Sequence, residues 1–133
     1  MIDLDRIVLV EAREEDRFLD ICKLCAINDD DNTYMILDKY TREVYGIIEY
    51  AVSKGGDSIH IDLIDVWKEN RRQGIARRVI ETLNKDYSIT GDSVLNEIGF
   101  WLKVGAEFEE DIEDEEVLRY YMEECMCAPF IIH

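Results

Sequence analysis

The stretch "LIDVWKENRRQGIARRVIETL", residues 63–83, contains a change in the spacing of its apolar residues. Its first residues end the segment Ser58–Val66, in which apolar residues alternate with His60 and Asp62, as is typical of a strand. Beyond Gly74 the apolar residues recur at the spacing of one helical face: Ile75, Val79, Ile80 and Leu83. The stretch therefore predicts a long strand, a polar loop and a helix that begins at Gly74.

Basic residues are concentrated in this loop and helix although the chain as a whole is acidic. The chain has 15 Lys and Arg against 31 Asp and Glu, a formal net charge of −16. The basic residues of this stretch are Lys68, Arg71, Arg72, Arg77 and Arg78. Backbone N–H groups at a helix start have no intrahelical partner, and the helix dipole adds partial positive charge there. Gly74 and Ala76 are small enough to let the backbone approach an anion closely.

We therefore expect the loop to bind a pyrophosphate, with Arg71, Arg72 and Arg77 adding positive charge beside the phosphates. The alternative is that Gly74 forms an ordinary turn and that the arginines only keep the helix soluble. The loop does not follow the Walker pattern, because no Lys-Ser or Lys-Thr follows the glycine. It also lacks the three spaced glycines of the dinucleotide-binding fingerprint.

Length and composition limit the class of protein. A chain of 133 residues that is 47% hydrophobic has the size and composition of one domain with a packed core, so we expect a single domain over residues 1–133. No apolar run approaches the ~18 residues of a membrane span. The first residues lack the pattern of a secretory signal. Together with the 4 cysteines, this predicts free thiols in a reducing cytoplasm.

The charge predicts the partners. A net charge of −16 repels nucleic acids and anionic membranes, and it attracts cations. We therefore expect neither a nucleic-acid nor a membrane partner, and a substrate that is a cationic amine. The chain itself is expected to be a monomer or a homodimer.

The order of elements predicts the fold class. Strands are predicted at residues 5–10, 33–38, 43–52, 58–66, 87–89, 106–110 and 129–132, with a hairpin turn at 39–42. Helices are predicted at residues 14–27, after Gly74, at 93–104 and at 117–125. The third of these would have Asp92 or Ser93 as its N-cap and Gly105 just past its end. We expect an α/β (α+β) fold, with a mixed, largely antiparallel sheet and helices on both faces.

The loop also resembles motif A of the GCN5-related N-acetyltransferases, the GNAT superfamily. There a Val ends the central strand and Arg/Gln-x-x-Gly-x-Gly/Ala follows; here these are Val66 and Arg71-Arg72-Gln73-Gly74-Ile75-Ala76. The later segment "IGFWLKVGAEF", residues 98–108, resembles a second motif of the family, a helix with an aromatic pair followed by Gly and a strand. The element order matches the family across nearly the whole chain. The resemblance implies a GNAT-like acyl-CoA N-acyltransferase fold with acetyl-CoA as co-substrate.

The resemblance further implies how acetyl-CoA is bound. Backbone groups near Ile64 and Val66 would pair with the pantetheine arm, and Trp101 would pack against it. The pyrophosphate would be bound by the loop residues Arg71, Arg72, Gln73, Gly74, Ile75, Ala76 and Arg77.

Acetyl transfer to an amine is helped by a base, because an amine with a pKa of about 10 is mostly protonated at neutral pH. His60 is the first candidate, because an imidazole changes its charge near neutral pH and residue 60 shares a strand face with Val66. Several GNAT enzymes carry a Glu or His base at the matching position. Asp62 lies on the same face as a candidate to hold a water or the substrate ammonium, and Glu49 on the neighbouring strand is a third candidate. The alternative for each is an ordinary polar residue on an alternating strand.

The proton donor to the leaving thiolate is not identified by the resemblance. GNAT enzymes often have a Tyr four residues before the Gly of the later motif, and this chain has Trp101 there. An indole is not a useful acid at neutral pH, so either another tyrosine serves or the thiolate leaves unassisted. The tyrosines considered are Tyr87, Tyr120 and Tyr121.

Two further patterns have both a functional and a structural interpretation. The run "EFEEDIEDEE", residues 107–116, is either a solvated turn before a helix or a negative rim that recruits a cationic amine. Cys22, Cys25, Cys125 and Cys127 are spaced as a four-thiolate zinc site would be. Because the first two lie in a helical apolar pattern, where cysteines pack well, we expect no metal.

The sequence thus predicts an enzyme that transfers the acetyl group of acetyl-CoA to a primary amine of a cationic small molecule or of a protein lysine. One alternative is a catalytically weak GNAT-like module that binds acyl-CoA, which the missing tyrosine favours. The other is an acidic interaction protein that mimics a nucleic acid.

Overall fold

The computed structural model describes residues 2–12, 32–94, 97–108, 114–120 and 127–133. Its strands are β1 (Ile7–Glu11), β2 (Thr33–Asp38), β3 (Val44–Val52), β4 (Ser58–Val66), β5 (Ser88–Val94), β6 (Glu107–Phe108) and β7 (Cys127–Ile132). Its helices are α1 (Ile75–Asn84), α2 (Ile98–Lys103) and α3 (Glu115–Tyr120). Short 3-10 turns lie at Leu4–Arg6 and Lys68–Asn70.

The described strands form a seven-stranded sheet in the order β1-β2-β3-β4-β5-β7-β6. The pairs β1/β2, β2/β3, β5/β7 and β6/β7 run antiparallel, and β4/β5 runs parallel. The predicted mixed, largely antiparallel sheet with helices is therefore confirmed. None of the helices in the described ranges has the length and apolarity that crossing a membrane requires.

The chain divides into two compact units. The first comprises Met1–Tyr50 and Leu63–Val79, which include β1, β2, most of β3, the end of β4 and the start of α1. Its core is built from β-branched and other aliphatic side chains: Met35, Ile36, Leu37, Ile47, Ile48, Ile75 and Val79. The strand residues in this core are consecutive, so β2 and β3 are buried on both faces, and Ile75 and Val79 lie on one face of α1.

The second unit comprises Ala51–Asp62 and Ile80–His133. Its core takes alternate residues of β4, β5 and β7: Ile59, Ile61, Ile89, Ala128, Phe130 and Ile132. Trp101 of α2 is buried there and stacks on Phe130, with ring centroids 4.3 Å apart. The single-domain assignment stays a prediction, because β3, β4 and α1 each contribute to both units.

Two predicted boundaries near β5 were wrong. Residues 87–89 were predicted as a short strand and 93–104 as a helix, whereas β5 extends over Ser88–Val94 and α2 over Ile98–Lys103. Asp92 and Ser93 are therefore not N-caps. They lie in a strand because β5 pairs with β7 over Ile89–Val94, and this ladder overrides the turn propensity of Asp and Ser. β7 likewise begins earlier than predicted, at Cys127.

Several other predicted features fall wholly or partly outside the described residues. These are the helix at 14–27 with Cys22 and Cys25, residues 109–113 of the acidic run, and the part of the last helix that contains Tyr121 and Cys125. Glu115–Tyr120 is helical, in agreement with the described part of that last helix.

Gly46 is required where β3 passes the end of β4. A Cβ added at residue 46 would lie 2.1 Å from the backbone oxygen of Asp65 and 2.8 Å from Cα of Val66. Because both neighbours are backbone atoms, they cannot move aside cheaply. We expect Gly46→Ala to lower the free energy of unfolding by about 1–3 kcal/mol, as overpacking does.

Urea titration of the free energy of unfolding measures this effect. Gly99→Ala is the matched control, since residue 99 lies in α2 with nothing within 4 Å of the added Cβ. In a helix that change should be neutral or stabilise by up to about 1 kcal/mol. Equal unfolding free energies for the two variants would contradict the close approach at Gly46.

Asp38 closes the hairpin between β2 and β3. Its Oδ1 accepts hydrogen bonds from the backbone N–H groups of Thr41 (3.0 Å) and Tyr40 (2.8 Å) and from Nη2 of Arg6 (3.1 Å). The Nε of Arg6 lies 3.1 Å from Oδ2. The hydrogen bond from Thr41, with those from Tyr40 and Arg6, lowers the pKa of Asp38 although burial opposes the shift.

We expect Asp38→Asn to unfold at a lower temperature than the wild type at neutral pH, with the difference shrinking in acid. Because the folded-state pKa is lowered, the carboxylate stabilises the fold fully above its unfolded pKa of about 3.9. That contribution is lost as the pH falls through the lowered folded-state pKa. Thermal melts from neutral pH to about pH 2 measure it, with the exposed Asp57→Asn as control. A pH-independent difference between Asp38→Asn and the wild type would refute this assignment.

Candidate active site

Four polar side chains lie on one face of the parallel pair β4/β5. They are His60 and Asp62 of β4 and Thr90 and Asp92 of β5, and His60 is in register with Thr90. The alternate residues Ile59, Ile61 and Ile89 are buried. Since strand side chains alternate between faces, burial of the isoleucines leaves the polar set toward solvent, with Thr90 half-buried.

His60 is the centre of this set. Its Nδ1 lies 2.9 Å from Oγ1 of Thr90. Its Nε2 lies 3.9 Å from Oδ1 of Asp62 and 3.9 Å from Oδ2 of Asp92. Both carboxylates are beyond ordinary hydrogen-bond length but close enough to attract a cation at Nε2. We call these four residues the His60 cluster.

The structure therefore brings together His60 and Asp62, as strand parity predicted, and adds Thr90 and Asp92, which the sequence reasoning missed. A signal was present: in "SITGDSV", residues 88–94, the polar residues Ser88, Thr90 and Asp92 alternate with Ile89 and Gly91. The prediction of a helix from residue 93 interrupted that alternation. Glu49 is buried in β3 and accepts a hydrogen bond from Oγ1 of Thr33 at 3.3 Å.

The loop after β4 contains two residues with a left-handed backbone conformation. The backbone angle φ is +64° at Arg72 and +84° at Gly74, and α1 begins at Ile75. None of the described residues accepts a hydrogen bond from the N–H groups of residues 72–76, and the first helical bond shown runs from N of Arg78 to O of Gly74. Successive N–H groups in such a turn form a concave site for anions. We call residues 71–77 the N–H loop.

The side chains of this loop have different environments. Arg71 donates from Nε to the backbone oxygen of Val66 at 2.8 Å and from Nη2 to Oδ1 of Asp65 at 3.2 Å, so its guanidinium stabilises the loop itself. The side chains of Arg72, Gln73 and Arg77 are exposed. The part of Arg71 in phosphate binding stays a prediction.

The N-terminal segment contacts the same loop. The Oε1 of Gln73 accepts from the N–H of Ile2 at 3.5 Å, and Arg78 pairs with Asp5 at 2.9 Å. A Cβ at Gly74 would lie 3.5 Å from Cδ1 of Leu4, which is an ordinary contact. The positive φ, rather than crowding, is therefore what favours glycine at position 74.

The other predicted acetyl-CoA residues lie on β4 and α2. β4 pairs with β5 only from Ser58 to Ile61, and it continues through Ile64 to Val66. Trp101 is 4% exposed, so it belongs to the core and has little surface left for a ligand. Its role in binding the pantetheine arm stays a prediction.

The tyrosines considered as proton donors are scattered. Tyr87 is half-buried beside the start of β5, Tyr120 is exposed at the end of α3, and Tyr121 is outside the described residues. Neither Tyr87 nor Tyr120 has a hydrogen bond to the His60 cluster. The structure identifies no proton donor among the residues it describes.

The fold of the GCN5-related N-acetyltransferases is defined by three features. These are the strand order, the parallel β4/β5 pair, and the succession of β4, N–H loop and α1. The chain has this fold. No protein-family model matches the sequence, and no curated protein matches it.

The solved structures similar to the chain include the following three. Arabidopsis thaliana Naa50, in complex with the bisubstrate analogue CoA-Ac-MVNAL, has a TM-score of 0.60 and 15% identity over 96% of this chain and 99% of that chain. Escherichia coli ElaA has a TM-score of 0.64 and 12% identity over 100% of both chains. The spermidine/spermine N-acetyltransferase SpeG from Vibrio cholerae has a TM-score of 0.63 and 11% identity over 97% of this chain and 93% of that chain. At these sequence identities the similarity shows the fold alone.

Proposed function

We propose that the chain is an acetyl-CoA-dependent N-acetyltransferase that acetylates a primary amine of a cationic small molecule or of a protein lysine. The observation that carries this proposal is the N–H loop, whose successive N–H groups at residues 72–76 have no acceptor among the described residues. An acidic chain that gathers donors and arginines at one helix start has a local site for an anion.

The pyrophosphate of acetyl-CoA is the anion proposed for this loop. Backbone N–H groups of Arg72, Gln73, Gly74, Ile75 and Ala76 would donate to it, and the exposed guanidiniums of Arg72 and Arg77 would add charge. The similarity in fold to a protein solved with a CoA bisubstrate analogue supports this assignment.

The pantetheine arm is proposed to pair with the backbone of β4 near Ile64 and Val66. This part of β4 lies beyond Ile61, where the pairing with β5 ends. Backbone groups of a strand without that neighbour can pair with an extended amide-containing chain.

His60 is proposed as the base. The amine nitrogen attacks the thioester carbonyl carbon and forms the C–N bond, while the C–S bond breaks and its electron pair leaves on the coenzyme A sulfur. Nε2 of His60 accepts, directly or through one water, the proton that the cationic amine loses before it attacks, and the coenzyme A thiolate takes up the proton that the nitrogen loses as the amide forms. Asp62 and Asp92, each 3.9 Å from Nε2, attract the amine in its cationic form. Glu49 accepts a hydrogen bond from buried Thr33, which gives it a structural role and makes it the weaker candidate.

A second candidate function is a module that binds acyl-CoA and catalyses little. Trp101 favours it, because the position where GNAT enzymes often have a tyrosine acid is occupied by a buried indole. Without an acid the thiolate leaves unassisted, which slows transfer.

A two-step experiment tests these functions. A melt with and without acetyl-CoA measures binding, and saturation a hundredfold above Kd should stabilise the chain by about 2.7 kcal/mol. Release of free coenzyme A thiol with a panel of polyamines and lysine peptides, followed by mass spectrometry of the amine, measures transfer. A shift without thiol release indicates the binding module. No shift, together with salt-sensitive binding to basic proteins, indicates the acidic interaction protein instead.

A further inference from the structure

Thr90 contacts the imidazole of His60 from the neighbouring strand. The two residues are in register on the parallel pair β4/β5, and Oγ1 of Thr90 lies 2.9 Å from Nδ1 of His60. The same oxygen donates to the backbone oxygen of Ile59 at 3.4 Å. All three groups belong to the second compact unit.

A threonine hydroxyl has one hydrogen to donate, and we assign it to the backbone oxygen of Ile59, which lies 3.4 Å from Oγ1. The short contact to His60 is then made by an Nδ1–H donating to Oγ1 of Thr90. A neutral imidazole has one N–H, so its Nε2 is left as the unprotonated nitrogen.

The carboxylates of Asp62 and Asp92 favour the other tautomer of His60, but more weakly. Asp62 and Asp92 would favour a proton on Nε2, yet each lies 3.9 Å from it, beyond the range of a hydrogen bond. The contact to Thr90 at 2.9 Å is of full hydrogen-bond length.

We propose that Thr90 is a positioning residue that holds neutral His60 in the Nδ1–H tautomer and presents Nε2 as a proton acceptor between Asp62 and Asp92. The catalytic consequence rests on the proposed function, whereas the tautomer is a property of the protein alone. With the proton on Nε2 instead, His60 has no lone pair to offer an amine at that face.

The tautomer is measured by long-range ¹H–¹⁵N correlation of the histidine side chains, at a pH at which the rings are neutral. The chain has 2 histidines, so a His133→Asn variant assigns the spectrum. His60 should show the proton on Nδ1 in the wild type and in Thr90→Ser, which keeps the hydroxyl. In Thr90→Val, which keeps the branched shape, the proton should move toward Nε2, the tautomer favoured by a free histidine side chain.

Activity supplies the second measurement. Thr90→Val should lower kcat by about tenfold with KM for acetyl-CoA unchanged, far less than the ~10⁴ lost when a catalytic histidine is held in the wrong tautomer. The loss is smaller because a freed ring still populates both tautomers. Thr90→Ser should restore most of kcat, which a purely structural role would not predict, provided that all three proteins melt alike.

A wild-type His60 with its proton on Nε2, or a tautomer unchanged in Thr90→Val, overturns the proposal. So does an unchanged kcat in Thr90→Val. If the wild type transfers no acetyl group to any amine tested, the proposed function fails while the spectra still decide the role of Thr90 in setting the tautomer.

Discussion

The Gly74→Glu variant is expected to bind acetyl-CoA at least about a hundredfold more weakly than the wild type, a loss of about 2.8 kcal/mol. Two physical effects act together at this position. The backbone angle φ of +84° strains any residue with a side chain, by roughly 1–2 kcal/mol. The added carboxylate lies at the start of α1, beside the N–H groups proposed to hold the pyrophosphate, and repels it.

Isothermal titration calorimetry with acetyl-CoA measures the effect, and Gly56→Glu is the matched control. Residue 56 also has a positive φ, +76°, and nothing lies within 4 Å of an added Cβ. It lies in the turn between β3 and β4, at the opposite end of β4 from the N–H loop. The control thus introduces the same strain and charge elsewhere. Equal affinities for the Gly74→Glu and Gly56→Glu variants would remove the pyrophosphate from the N–H loop.

The His60→Ala variant is expected to lose about 10²- to 10⁴-fold in kcat, the range that a general base contributes. Its Kd for acetyl-CoA should stay that of the wild type, because His60 is proposed to act on the amine and not on the carrier. Thiol release at saturating acetyl-CoA and amine measures kcat, and calorimetry measures Kd.

His133→Ala is the control for this variant. His133 is exposed, and its Nε2 lies 3.4 Å from Oε2 of Glu107. It should retain wild-type kcat. A His60→Ala protein that turns over at the wild-type rate would exclude His60 as the base and would leave Asp62 or Asp92 to be tested in its place.

Local patterns were sufficient for most of the fold. The alternation in Ser58–Val66, the glycine at 74 and the helical spacing after it predicted β4, the N–H loop and α1 with nearly correct bounds. In these elements the residue propensities, the spacing of the apolar residues and the turn chemistry all favour the same structure. The resemblance to GNAT motifs then predicted the fold that the structure has.

The prediction from sequence failed at β5, whose extent depends on its pairing with a neighbouring strand. Asp92 and Ser93 have the local character of a helix N-cap, yet β5 contains both because β7 pairs with it through Val94. This single error concealed Thr90 and Asp92. Because β5 was predicted to end at residue 89, neither Thr90 nor Asp92 was placed in a strand beside His60.

The sequence by itself determined the period of β4 and of α1 and the placing of a glycine at the start of α1, because these depend on residues near one another in the chain. It also determined that His60 and Asp62 share a face. The tertiary structure alone decided what surrounds His60: Thr90 at 2.9 Å from one ring nitrogen and two carboxylates near the other. Those distances depend on the register of two parallel strands separated by a helix, and such long-range pairing leaves no signal at short spacing in the sequence.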